Sequence, residues 1–190
     1  MRQTPKAMLG ATLLSAVVLS SCGSDALAKT KTIPLMSFRS PTIDRPAIPA
    51  RYTCDGKNIS PPFEWGAVPA GTKDLALFIV GLTPEPSTKS YKVSVEWAVA
   101  GVNPALHRIA AGRLPSGAFL GRGKSKRESY SICPKKGSPV RYQFEAYAVP
   151  QAVVIPPNFA SVAALNTLVA PSSKDRALAH GGFAAVYKRR

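Results

Sequence analysis

The side chains in this sequence that can do chemistry are sparse. Two carboxylates stand out by their settings: Asp55 lies beside a glycine in a turn sequence, and Glu96 interrupts an alternating apolar run. If the segments carrying them converge, their oxygens accept hydrogen bonds from a cationic or hydroxyl-rich ligand, and crowding in a half-buried cleft raises the pKa of one. If they stay apart, they are a turn residue and part of a solvated strand face. The two histidines, His107 and His180, fall in a stretch that reads as a loop and one that reads as a late helix. Neither sits beside a Ser, Cys or acid at a catalytic spacing, and no nucleophile elbow or HExxH pattern occurs, so the chain reads as a non-enzyme. Cys54 and Cys133 have neither CxxC spacing nor histidine-rich surroundings. No metal and no other cofactor is therefore expected.

The N-terminus sets the expected compartment. Arg2 and Lys6 precede an apolar run, Ala7–Leu19, broken only by Gly10, Thr12 and Ser15. That run is short of the roughly 20 residues a membrane span needs and reads as a secretory signal. Leu19-Ser20-Ser21-Cys22 then resembles a bacterial lipobox, with cleavage before Cys22 and a lipid on its thiol. The expectation is a signal peptide over 1–21, a lipidated cysteine with a polar tether over 22–32, and a domain over 33–190. Such a protein is held on the exported side of a cell or envelope membrane by acyl chains. Lipidating Cys22 leaves Cys54 and Cys133, and an exported compartment permits a disulfide between them; two buried, unpaired thiols are the alternative.

Lys and Arg number 25 against 10 Asp and Glu, a formal charge of +15. Losing residues 1–21 removes Arg2 and Lys6 and no acid, leaving about +13. The densest basic stretch holds Arg122, Lys124, Lys126 and Arg127, then Lys135 and Lys136, with Tyr130 as its one aromatic. That sparse interleaving argues against nucleic acid. An anionic lipid or envelope polymer is the nearer partner, beside the plain reading of a solvated loop.

The elements that must position these groups are short. Leu75–Val80 is a continuous apolar run, as in a strand covered on both faces. Val93–Val99 alternates, with Val93, Val95, Trp97 and Val99 on one face and Ser94, Glu96 and Ala98 on the other; Arg141–Val149 alternates as well. Helical signals come late, over Ser161–Val169 and from Ser172 to a stop at Gly181. Phe183–Tyr187 suits a last strand, and Lys188–Arg190 a solvated end. The 18 prolines disfavour long helices. Short strands parted by Gly/Pro-rich turns predict a mainly β, antiparallel Greek-key domain.

The most informative stretch is Arg51–Trp65. Asp55-Gly56 offers a left-handed backbone position, and Pro61-Pro62 stiffens a loop that is neither helix nor central strand. Tyr52-Thr53-Cys54-Asp55-Gly56 is followed by Ile59-Ser60-Pro61-Pro62-Phe63-Glu64-Trp65, Val68-Pro69-Ala70-Gly71-Thr72-Lys73 and Leu75-Ala76-Leu77. Farther on come Glu96-Trp97, Tyr130 with Cys133-Pro134, Arg141-Tyr142 and Tyr147-Ala148. In that order these motifs resemble the phosphatidylethanolamine-binding protein family, in its bacterial Raf-kinase-inhibitor-like branch, over most of residues 33–190.

The resemblance implies a large antiparallel sheet packed on a smaller one, with short C-terminal helices and a small anion pocket at one end. It also brings Cys54 and Cys133 together. The family pattern lines the pocket with an Asp-Pro-Asp-Ala-Pro turn, the His of a His-Trp pair and the His of a Gly-x-His-Arg-Tyr segment. Here the turn is Leu82-Thr83-Pro84-Glu85-Pro86, the first His is Glu96 and the second is Val140. Two hydrogen-bond donors are lost and a negative charge gained. The expected ligand set is therefore Asp55, Thr83, Glu85, Glu96, Trp97, Tyr130 and Arg141. It would hold a small anionic, polar or headgroup-like ligand in an altered pocket. The alternative is a vestigial pocket on a protein-interaction module, of the kinase- or protease-inhibitor kind.

Overall fold

A computed structural model of the chain describes residues 32–44, 46–121, 130–152, 166–168 and 176–190. The expected signal segment, Cys22, most of the tether, the Arg122–Arg127 basic run and most of the two late helices lie outside these residues.

Two antiparallel sheets face each other. Strands β1 (Phe38–Arg39), β2 (Phe63–Trp65) and β5 (Arg108–Ile109) form a small sheet in the order β1-β2-β5. The large sheet holds β3 (Asp74–Glu85), β4 (Ser90–Val102), β6 (Phe119–Leu120), β7 (Pro139–Val149) and β8 (Ala179–Lys188), in the order β6-β4-β3-β7-β8. The mainly β architecture is as expected, with longer strands than the apolar runs alone suggest.

Alternation explains the layering. Leu75, Leu77 and Ile79 of β3 join Trp97, Val99 and Phe144 in a core shared with Phe63 and Trp65 of the small sheet. Ala76, Phe78 and Val80 point to the other face and pack with Tyr147, Leu168 and Ala177. A strand covered on both sides has no place for polar residues, hence the unbroken apolar run Leu75–Val80. Each large side chain buried here contributes about 1.5–3 kcal/mol.

Four local expectations are corrected. The face shared by Val93, Val95, Trp97 and Val99 is not continuous, because the register slips between Ile79 and Val80. Val95 packs on the outer face while Trp97 and Val99 pack on the inner one. Gly181 ends no helix: it lies within β8, opposite Ala146, and with it His180 belongs to a strand. A Cβ on Gly181 would stand 2.5 Å from the Met36 carbonyl oxygen, so the glycine permits a backbone crossing. The left-handed residue of the Asp55 loop is Asn58, with φ of 52°. Gly56 serves close approach, since a Cβ there would lie 2.5 Å from the Ala50 carbonyl oxygen. Finally, Lys188 completes β8 and Arg189 is bonded to Asp55, so the tail is not a freely solvated end.

Candidate functional site

Glu96 owes its place to a β-bulge. Val95 pairs with Val80 and Trp97 with Ile79, so Glu96 is the extra residue on β4. The bulge keeps Trp97 facing inward while Glu96, following Ser94, lies on that same inner side. The Ser94 hydroxyl donates to Glu96 Oε1 at 2.6 Å. Ser94 sits opposite Gly81, and Gly81 opposite Tyr142. A Cβ on Gly81 would meet Glu96 Oε1 at 3.0 Å, Ser94 Oγ at 3.1 Å and Tyr142 Cε1 at 3.4 Å. The missing side chain thus makes the floor on which a carboxylate, a hydroxyl and an aromatic ring converge. Tyr142 is 1% exposed. Burial first, and the neighbouring Glu96 charge second, raise its pKa, so the phenol stays protonated.

Asp55 is held from another direction. A disulfide joins Cys54 to Cys133, with Cα atoms 5.3 Å apart, and the Cys54 N–H donates to the Ile132 carbonyl at 3.1 Å. Thr53 fixes the turn by donating to the Ala50 carbonyl and accepting from the Asp55 N–H. From β8 the Tyr187 hydroxyl donates to Asp55 Oδ2 at 2.7 Å, and just past the strand Arg189 Nε donates to Oδ1 at 2.9 Å. These two bonds, Tyr187's first, hold the Asp55 carboxyl below its ordinary range. Ser94 thus bonds to Glu96, while Tyr187 and Arg189 bond to Asp55. Tyr142 and Tyr187 lie on the same inner face, on neighbouring strands.

The other expected residues divide. Trp97 is 3% exposed and packs on Phe63, with ring centroids 5.9 Å apart, so it supports the site from within the core. Tyr130 meets Trp97 edge-on at 6.0 Å and donates its hydroxyl to the Tyr52 carbonyl. Thr83 and Glu85 end β3, opposite Lys92 and Ser90, in a hairpin that runs past the sheet, and both have the inner-side parity of Gly81. Arg141 follows the opposite parity from Tyr142 and is exposed on the outer face, so it does not supply the missing donors. Val140 is 7% exposed and has joined the core, where an imidazole would have needed a partner.

Sequence reasoning missed Ser94, Gly81, Tyr187 and Arg189. Ser94 had a signal, since residues two apart on a strand share a face. Arg189 had none, because its partner is 134 positions away. Among the described residues no three His, Cys, Asp or Glu side chains are grouped to hold a metal ion. Among them, too, no helix is long and apolar enough to cross a membrane.

Comparisons with known proteins agree with this geometry. The family model described as phosphatidylethanolamine-binding protein matches residues 40–186. A UPF0098 protein of Methanothermobacter thermautotrophicus is 38% identical over 120 residues, covering 60% of this chain and 76% of the relative. A Mycobacterium tuberculosis protein described as "Putative lipoprotein LppC" is 28% identical over 194 residues, covering 91% of this chain and 92% of its own length. Among solved structures, E. coli YbcL, described as a new member of the mammalian PEBP family, superposes with a TM-score of 0.67 at 22% identity. It covers 82% of this chain and 99% of its own, and at that identity it speaks for the fold. The two-sheet architecture, the ordered motifs from Tyr52 to Trp65 and the match over residues 40–186 lead to one assignment: this chain belongs to the phosphatidylethanolamine-binding protein family.

Proposed function

We propose that the protein is a non-enzymatic binding module of the bacterial envelope, lipid-anchored through Cys22, that takes a small ligand bearing an amine or hydroxyls. The mycobacterial relative described as a lipoprotein, similar over 91% of this chain, supports the envelope setting. The observation that carries the ligand class is Glu96, placed by the bulge on the inner face at 2.6 Å from the Ser94 hydroxyl and over the side-chain-free Gly81. An ionised carboxylate only accepts hydrogen bonds, so this position favours donor groups such as an ammonium or a polyol over a phosphoryl oxygen. The half-buried setting strengthens such bonds relative to water.

Thermal unfolding with millimolar ethanolamine, choline, glycerol, phosphoethanolamine and inorganic phosphate tests this. Occupancy stabilises by RT ln(1 + [L]/Kd), about 2.7 kcal/mol at a hundredfold excess over Kd. The expected result is stabilisation by an amine or polyol that Glu96→Gln removes. Stabilisation by phosphate alone, or an effect that survives Glu96→Gln, overturns the reading. One observation favours a protein-interaction module with a vestigial pocket: both oxygens of Asp55 are engaged by Tyr187 and Arg189 of the same chain. No response across the whole panel selects that alternative.

A further inference from the structure

At the same end of the large sheet as Glu96, on the opposite face, an apolar and basic surface lies open. Strand alternation sends Leu82 and Val93, which face each other across β3 and β4, to the outer side, and Tyr91 two residues before Val93. The pairing of β7 with β3 stops at Leu82, so the β3–β4 hairpin continues beyond the sheet. The cross-strand row that starts at Val93 and Leu82 goes on to Arg141 of β7 and Val186 of β8. Lys188 has the same parity one step farther along β8.

Exposure changes sharply from row to row. Val80 and Val95, one row deeper, are 2% and 4% exposed, whereas Tyr91, Val93 and Val186 are 57%, 41% and 38% exposed. Arg141 and Lys188 are exposed as well. Two acids of these strands near this end are placed elsewhere. Glu85 has the parity of Gly81 and turns to the inner side, and Glu145, deeper on the outer face, accepts from the Tyr147 hydroxyl at 2.6 Å. The outermost positions of β3, β4, β7 and β8 on this face are therefore apolar or basic, without a carboxylate.

We propose that this face docks on an anionic lipid bilayer. Charge complementarity names the occupant: Arg141 stands within the row and Lys188 one step beyond it, in a chain of formal charge +15. The mixture is that of an interfacial surface, with a tyrosine at headgroup depth, aliphatic side chains just below, and cations at the lipid phosphates. Docking in this way holds the domain in one orientation at the membrane, whether or not an acyl chain tethers it.

The test uses the mature chain, residues 22–190, carrying Cys22→Ala, so that neither the signal segment nor an acyl chain contributes. Its co-sedimentation is measured with phosphatidylcholine vesicles, with and without roughly one third phosphatidylglycerol. Binding is expected to require phosphatidylglycerol and to weaken with salt. Arg141→Glu with Lys188→Glu lowers the partition coefficient at least about twentyfold, since each basic residue near such a surface is worth about a factor of five. Val93→Glu lowers it about tenfold, and Val93→Ser, which adds no charge, by a few fold. Lys73→Glu with Arg113→Glu makes the same charge change at other exposed positions and costs less than about threefold. Equal losses from the two charge-reversed pairs, or none from the first, overturn the proposal. So does a dimer in sedimentation analysis that Val93→Glu disperses, because the face is then a contact between two copies.

Discussion

The two faces at one end of the large sheet are made from alternate residues of the same strands, yet they carry opposite chemistry. On the inner face Ser94, Gly81 and Tyr142 stand in one row and Glu96 joins them through the bulge. On the outer face the next row reads Val93, Leu82, Arg141, Val186. The inner row is polar and half-buried: Tyr142 is 1% exposed, and Ser94 bonds to a partly exposed Glu96. The outer row is largely apolar and basic, and it meets solvent. A single extra residue decides which face receives the acid. With strict alternation Glu96 would oppose Trp97 and fall on the outer side; the bulge keeps both inward.

The largest effect expected on this contrast comes from the layer beneath both rows. Phe144 is 0% exposed and stacks on Phe183 at 4.7 Å. Phe144→Ala should cost about 3–5 kcal/mol in chemical unfolding. A cost below about 1 kcal/mol means that the core does not hold the two faces in register. Next is Gly81→Ala, which places a methyl 3.0 Å from Glu96 Oε1 and should cost about 1–3 kcal/mol while weakening ligand stabilisation. A neutral Gly81→Ala variant with ligand response intact shows that Glu96 does not need that floor.

The smallest effect concerns Asp55, on the loop that closes over the inner side. Its folded pKa is lowered below 3.8 by Tyr187 and then Arg189. A depressed pKa contributes stability that is fully present above 3.8 and is lost as pH falls through the lower folded value. Asp55→Asn should therefore give a small fall in Tm at pH 7 that shrinks on acidification below 3.8. A difference that stays constant through that range assigns the effect to packing. Because this ion pair is exposed, the expected shift is slight and decreases with salt.

Much of the fold was legible. The unbroken apolar run Leu75–Val80 specifies a strand covered on both faces, and the alternation over Arg141–Val149 specifies one by its period of two. The linkage of Cys54 to Cys133, which the structure forms, was open to cysteine counting. Gly181 was misread because a helix-stopping glycine and a glycine that admits a crossing backbone have the same letter. The site was only half legible. Asp55 and Glu96 were visible as acids, but the partners of Asp55 come from the last strand and the residue after it, and Arg141 of the expected ligand set alternates to the outer face.

By itself the sequence determined the β architecture, since alternation is a property of the chain, and its ordered motifs from Tyr52 to Trp65 carried the resemblance to the family. Only the tertiary structure decided where Glu96 and Asp55 act. The β4 register turned Glu96 inward over Gly81, and β8 delivered Arg189 to Asp55. The bulge breaks the alternation from which a face is read, even within one hairpin, and the Arg189 contact joins segments 134 positions apart.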